Sequence, residues 1–417
     1  MYHLQRVKKE KNFEKQSVLF FLFTDLDEGF LFLFKMNIIG RIRNRTQRKS
    51  QDPLKEPVRE NKENKEVKEK EKAKGPPREE KDKTKSEKET QPQSSRPGPD
   101  DPTSKDRLIK RKQIVKFVKN TVEKGPAGIR NEFSTMKRFN DFEKMKAFKN
   151  AQDKNKNRYK DVGCLDNNRV KLGSPWPHDY IHGNFVATPS NPKRFICTQA
   201  PMEKTCADFW FMCLQEKVES IFMLCNLVEK GAKKCFEYYP SKEKTMEFEE
   251  KGLKITVKFE SSAVLKWEKP SESKVMETVL NVEGPGGLTL RTTHYHWIDW
   301  PDRGVPVADL ALCELLAKSR VSKNPIVVHC SAGIGRTGSV VMIEYMIDTL
   351  LIGGIIEDSD KILLRIREQR NNSIQTDLQY LFVHQVMMNF LLDKKLFDND
   401  VKMAHLDFTT KYLKAVS

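Results

Sequence analysis

Cys330 and Arg336 stand six residues apart in IVVHCSAGIGRTG (326–338). A thiolate is a strong nucleophile, and a forked guanidinium matches two oxygens of a phosphate. Val327 and Val328 continue a short buried strand, and Cys330 lies just past it. Gly333, Gly335 and Gly338 permit a tight loop, and Thr337 starts a helix rich in Val, Met and Ile. Backbone N–H groups of Ser331, Ala332, Gly333, Ile334 and Gly335 then point at one anion-sized cavity. The same positive surroundings hold Cys330 ionised. A phosphate cradle with a nucleophile at its floor is the site of a phosphatase. A nucleotide-binding Walker loop is excluded, because it needs GK[ST] and this run reads GRT. A cysteine after a buried strand is by itself usually core; the glycines, arginine and helix start around this one favour chemistry.

Attack on a phosphate monoester expels an oxygen that needs a proton. WPDRGVP (300–306) offers Asp302 as the acid, with Trp300 as a bulky anchor, Pro301 fixing direction, and Gly304 and Pro306 bounding a loop. Alone, Asp302 would read as a turn aspartate. Beside a Cys-x5-Arg loop it reads as the acid.

The elements that position these groups must come from the last 300 or so of the 417 residues. The net charge is +17. Residues 41–100 hold 19 basic and 13 acidic residues and only Ile42, Leu54, Val58, Val67 and Ala73 from the hydrophobic set, too few for a core. This block, 41–104, is expected to be a disordered charged linker, ending near PQSSRPGPDDP, which stops a helix. Its basic opening, RIRNRTQRKS, has no interleaved aromatic residue to stack on bases, so nucleic acid is not an expected partner. In the N-terminal segment, 1–40, Asp25, Asp27 and Glu28 split SVLFFLF from GFLFLF; a membrane span is not expected, and a start at Met36 is an alternative to Met1. All eight cysteines lie between Cys164 and Cys330, without zinc-site spacing or a CxxC pair, which fits a reducing compartment.

From Leu108 the pattern becomes globular. Leu108, Val115, Val118 and Val122 share one helical face with Ile114 beside them, and a second helix is expected over 128–148. Strands are expected in NFVATP, RFICTQ, SIFMLCNL, KCFEYYP, LKITVKFE, LTLRTTHYHWI and NPIVVHC. Helices are expected at 205–218, 307–321, 337–351, 358–371 and 376–392. The expected fold is α/β: a large, twisted, mixed sheet flanked by helices in a single domain at 105–395, with a short peripheral tail at 396–417.

Taken together, the segments resemble the classical, phosphotyrosine-specific protein-tyrosine phosphatases of the non-receptor type. VHCSAGIGRTG matches that family's signature without a gap. WPDRGVP resembles its mobile acid loop, KNRYKD (156–161) its phosphotyrosine loop, and QTDLQY (375–380) its glutamine loop. DFW (208–210) and EKGAKKCFEYYP (229–240) match its framework, and all stand in family order.

The resemblance implies a role for each matching position. Cys330 forms a phosphocysteine, Arg336 binds the phosphoryl oxygens, and Asp302 protonates the tyrosine oxygen, then acts as base toward water. Thr337 assists the thiolate, Gln375 places the attacking water with help from Gln379, Glu229 orients Arg336, and His329 orders the loop. Tyr159 stacks on phosphotyrosine and excludes the shorter phosphoserine, and Asp161 holds the substrate backbone. Arg367 resembles a secondary phosphate contact, with an exposed helix arginine as the equal alternative. No metal or other cofactor is implied.

Departures from the family pattern are His182 and Gly183 in DYIHGN, Ala200, and Asn372, which sits where side-chain size affects cleft width. The expected partners are phosphotyrosine proteins, in a monomer acting in signal transduction in the cytoplasm, with the nucleus left open. Three other readings remain. The first is a weakly active or inactive phosphotyrosine-binding protein, which an intact Asp302 disfavours. The second is a broader phosphatase, which Tyr159 disfavours. The third is a tail-driven adaptor, whose salt-sensitive binding would vanish on deletion of 1–100.

Overall fold

A computed structural model describes residues 102–417 except 357 and 395–398. The expectations for 1–40 and for the linker up to residue 101 lie outside the described residues. Helix α1 (Pro102–Thr135) begins inside the expected linker. Proline is tolerated there because first-turn N–H groups have no helical partner anyway. The helical backbone breaks at Gly125 (φ 58°), just before Pro126. Among its described side chains Ile114, Phe117, Val118, Thr121, Pro126 and Ile129 are buried, while Val115 and Val122 are only half-buried. The buried face is turned from the expected one because α1 packs against two C-terminal helices at once.

The helix expected over 128–148 stops at Thr135. Ser134 and Thr135 bond back to the carbonyls of Asn131 and Glu132, which competes with the helix ladder. Beyond them, distant groups claim the backbone: Arg367 donates to the Met136 carbonyl (2.8 Å), and Asn372 accepts from Phe139 N (3.1 Å). Phe139 is consequently 73% exposed. A short helix, α2 (Lys146–Asn150), follows.

The main sheet contains β1 (Arg169–Lys171), β2 (Tyr180–Thr188), β3 (Asn191–Thr198) and β4 (Ser220–Met223). A separate hairpin pairs β5 (Val228–Glu229) with β6 (Ala232–Lys233). The sheet continues with β7 (Thr245–Glu250), β8 (Leu253–Val264), β9 (Val275–Glu283), β10 (Thr289–Trp297) and β11 (Ile326–His329). The order is β1-β2-β3-β11-β4-β10-β9-β8-β7. Strand β11 is central, parallel to β3 and β4, and β10 is parallel to β4; the outer pairs are antiparallel. A parallel centre is covered on both faces, which is why IVVH is continuously buried rather than alternating. Helices α3 (Cys206–Gln215), α4 (Ala311–Ser319), α5 (Gly335–Leu351), α6 (Ser359–Arg367) and α7 (Asp377–Asp393) lie where the periodicity placed them. The result is a mixed α/β domain of the expected class.

KCFEYYP is not a strand. Phe236 N bonds to the Pro201 carbonyl (2.9 Å) and Cys235 N to the Leu227 carbonyl, so its backbone partners lie in loops. The strands β1, β5, β6, β7 and β9 are not among the expected ones; β7 is a charged edge in which only alternate residues are half-buried.

The tail expected at 396–417 is instead dominated by helix α8 (Asn399–Val416). Val401, Phe408 and Tyr412 belong to the same buried cluster as Ile114 and Phe117 of α1. Phe408→Ala is therefore expected to cost about 3–5 kcal/mol in urea unfolding, the range for a buried aromatic. A peripheral tail would leave the midpoint unchanged. Among the described residues, no helix is long and apolar enough to cross a membrane.

Candidate active site

Central strand β11 delivers Cys330 to the carboxyl edge of the sheet, and α5 carries the chain away from the loop that follows. Gly333 has φ +70°, and a Cβ there would lie 2.0 Å from the Thr198 carbonyl oxygen, so only glycine closes this turn. Its N–H donates to the Cys330 sulfur at 3.2 Å. The Thr337 hydroxyl is buried without a partner of ordinary hydrogen-bond geometry, yet it acts on the same sulfur. Burial raises the Cys330 pKa. The Arg336 charge, the Thr337 hydroxyl and N–H, and the Gly333 N–H outweigh it and bring the thiol below its usual value.

Arg336 is aimed by Glu229, which accepts two bonds from the guanidinium (2.6 and 2.8 Å) with both partners buried. The Trp300 carbonyl accepts a third, at 3.2 Å. Glu229 also accepts from Asn226 N, which fixes the hairpin that presents it. Glu229→Ala would strand a buried cation, and breaking a buried pair in this way costs about 3–5 kcal/mol. The expected result is a lower denaturation midpoint together with weaker phosphate binding; an unchanged midpoint would mean that the pair is dispensable.

Trp300 is buried edge-to-face against Trp297 and Phe382, which anchors the start of the acid loop. Asp302 lies 3.5 Å from Arg336 Nη2 and 3.1 Å from Lys234 Nζ. Burial pushes its pKa up, but Lys234, then Arg336 and Arg303, pull it below the ordinary aspartate value. In this state the Asp302 carboxyl is ionised at neutral pH.

His329 is buried. Its Nε2 meets the Tyr238 hydroxyl at 2.7 Å and its Nδ1 the Cys330 carbonyl at 3.2 Å. Burial lowers its pKa to about 3, so it orders the loop as a neutral ring. The Tyr159 hydroxyl pairs with Ser331 Oγ at 2.8 Å, and its ring packs on Val162, Ala332 and Ile334. Gln375 and Gln379 meet over the first turn of α5, where a Cβ on Gly335 would lie 2.5 Å from Gln375 Oε1. Gln379 Oε1 accepts from Gln375 N (3.0 Å).

The structure thus brings these expected residues around Cys330; Asp161, beside Val162 of the Tyr159 cluster, is exposed and has no ion-pair partner among the described residues. Arg367 is neither an exposed arginine nor a free phosphate contact: it is buried and spends its donors on the carbonyls of Ser373, Met136 and Ile374. Asn372, at φ 57°, is buried and tied to Phe139 N and Asn140. Sequence reasoning missed Lys234, which sits in the quoted EKGAKKCFEYYP run, and Tyr238. It also missed Arg370, a fully buried arginine.

Outside this site, His178, Asp208 and Glu250 converge closely enough to hold a cation. The Lys156 ammonium already lies among them, 2.8 Å from Asp208 and 2.7 Å from His178 Nε2.

A model of the protein-tyrosine phosphatase family matches residues 153–389. Human receptor-type tyrosine-protein phosphatase zeta is 34% identical over 256 residues, which are 58% of this chain and 11% of that protein. Human tyrosine-protein phosphatase non-receptor type 2 is 34% identical over 249 residues, 57% of this chain and 56% of the relative. The chain therefore spans about a tenth of the length of the receptor-type relative and about half of the non-receptor one. A solved structure titled "Structural basis of PTPN18 fingerprint on distinct HER2 tyrosine phosphorylation sites" superposes with a TM-score of 0.55 at 27% identity, over 66% of this chain and 97% of that one.

Proposed function

Because the chain belongs to the protein-tyrosine phosphatase family, we propose that it hydrolyses phosphotyrosine in proteins through a phosphocysteine intermediate. The observation that carries this is one cluster: a Cys330 thiol with a lowered pKa, Arg336 clamped by Glu229, and Asp302 at 3.5 Å from that arginine.

The thiolate of Cys330 attacks phosphorus, and the P–O bond to tyrosine breaks. Arg336 and the loop N–H groups take up the charge that develops on the phosphoryl oxygens. Asp302 donates its proton to the leaving tyrosine oxygen. An incoming dianionic phosphate disfavours an adjacent carboxylate and raises the Asp302 pKa, which supplies the protonated form that the free site suppresses. In the second step Asp302 takes a proton from a water placed by Gln375 and Gln379, and Thr337 stabilises the departing thiolate. Tyr159 forms one wall for the substrate ring, and Asp161 is left for the substrate backbone.

The eight cysteines are all unpaired, which supports action in a reducing compartment such as the cytoplasm. The test is initial-rate hydrolysis of a phosphotyrosine peptide beside a phosphoserine peptide. Phosphate release from the first alone is expected. Tight binding of the phosphotyrosine peptide with no release would favour a binding protein, and equal rates would favour a broader phosphatase.

A further inference from the structure

His182 occupies a position where the family pattern has asparagine, and it is 2% exposed. The Thr198 hydroxyl holds its backbone by donating to its carbonyl (2.8 Å). Its ring stands edge-on to Phe148. The ring touches two structures that meet at the site. Nε2 lies 2.8 Å from the Val162 carbonyl, and Nδ1 lies 3.3 Å from Arg370 Nη2. A guanidinium can only donate, so Nδ1 accepts, and the ring proton sits on Nε2 and is donated to Val162. Burial holds the ring neutral, with its pKa lowered to about 3, so this tautomer persists at all working pH values.

Each arm leads to the phosphotyrosine site. Arg370 donates to the carbonyls of Gly333 (3.0 Å) and Ala332 (3.3 Å). In a trans peptide the C=O and the following N–H point in opposite directions. Drawing the Ala332 carbonyl outward therefore turns the Gly333 N–H inward, where it meets the Cys330 sulfur. The other arm ends on Val162, which packs in one cluster with Tyr159, Ala332 and Ile334.

We infer that His182 is a positioning residue that couples the Tyr159 segment to the phosphate loop, one ring nitrogen serving each. This rests on the phosphatase reading and extends it to a residue that touches no substrate. Asparagine places an acceptor where Nδ1 was but cannot reach Val162; glutamine places a donor where Nε2 was but offers Arg370 nothing at Nδ1. The two substitutions therefore separate the arms.

The experiment measures kcat and KM on a phosphotyrosine peptide, inorganic phosphate binding by calorimetry, and the melting temperature of each variant. For His182→Asn, kcat and phosphate affinity are expected within about threefold of the parent while KM rises about tenfold, the scale of one buried hydrogen bond. For His182→Gln, kcat and phosphate affinity are expected to fall about tenfold with a smaller change in KM. If His182→Gln does not fold, Arg370→Lys removes the same arm and should give the same pattern. The inference is overturned if the variants shift kcat, KM and phosphate affinity alike, or leave all three unchanged, whatever happens to the melting temperature. A parent protein that binds phosphate but turns nothing over would sink the enzyme reading instead, and phosphate affinity would still judge the Arg370 arm.

Discussion

Cys330→Ser is expected to abolish turnover of a phosphotyrosine peptide, with a loss of about 10⁴-fold or more, because a serine hydroxyl in this pocket has no base to ionise it. The charge that lowers the thiol pKa cannot do the same for an alcohol, whose unperturbed pKa lies far higher. The fold should persist. The change keeps a small buried side chain, and the surrounding bonds from His329, Arg370 and Tyr159 go to the loop backbone or to Ser331, not to the sulfur. Phosphate binding should persist as well, since Arg336 and the loop N–H groups remain. Steady-state rates and calorimetric phosphate titration check both halves. Residual turnover within tenfold of the parent would mean that another group attacks the phosphorus.

Asp302→Asn is expected to lower kcat by about 10²–10⁴-fold, the usual contribution of a positioned general acid. The pH dependence carries more information than the magnitude. In the free protein the Asp302 pKa is depressed, so the acid form is a minority at neutral pH and declines further as pH rises. The profile of kcat/KM should therefore fall on its basic side as Asp302 loses its proton. It should fall on its acid side as Cys330 gains one. Removing the carboxyl removes the basic limb and leaves the acid one. Lys234→Ala takes away the group that, after burial, acts most strongly on Asp302. Its loss should raise the Asp302 pKa and carry the basic limb to higher pH. A basic limb unchanged in both variants would assign the proton to another residue.

The site was more legible in the sequence than the fold around it. Cys330, Arg336 and the glycines between them are close in the chain, so their spacing alone describes a cradle. Asp302 and Glu229 are far from them in sequence: the need for a proton donor and the WPDRGVP loop pointed to Asp302, whereas only the family resemblance tied in Glu229. Lys234 and Arg370 escaped because a lysine or arginine at a loop or helix end ordinarily faces water. Here Arg370 is buried by carbonyls whose orientation depends on the closed loop. Helix periodicity located α3 to α7, whereas the helix expected through residue 148 failed where Arg367 and Asn372 captured its backbone. The same capture explains why Arg367 is not available to a second phosphate. Helix α8 was missed because only three of its buried positions, 401, 408 and 412, carry hydrophobic side chains, the buried His405 and Thr409 being polar, and the stripe acquires a partner only when α1 is in place.

The central claim is that phosphate passes through Cys330. The most direct test is mass spectrometry of protein quenched by rapid denaturation during turnover of a phosphotyrosine peptide. The account predicts one added phosphoryl group on the peptide carrying Cys330, absent from Cys330→Ser and more abundant when Gln375→Ala slows hydrolysis of the intermediate. Phosphate release at the parent rate with no phosphoryl group on Cys330 would contradict it.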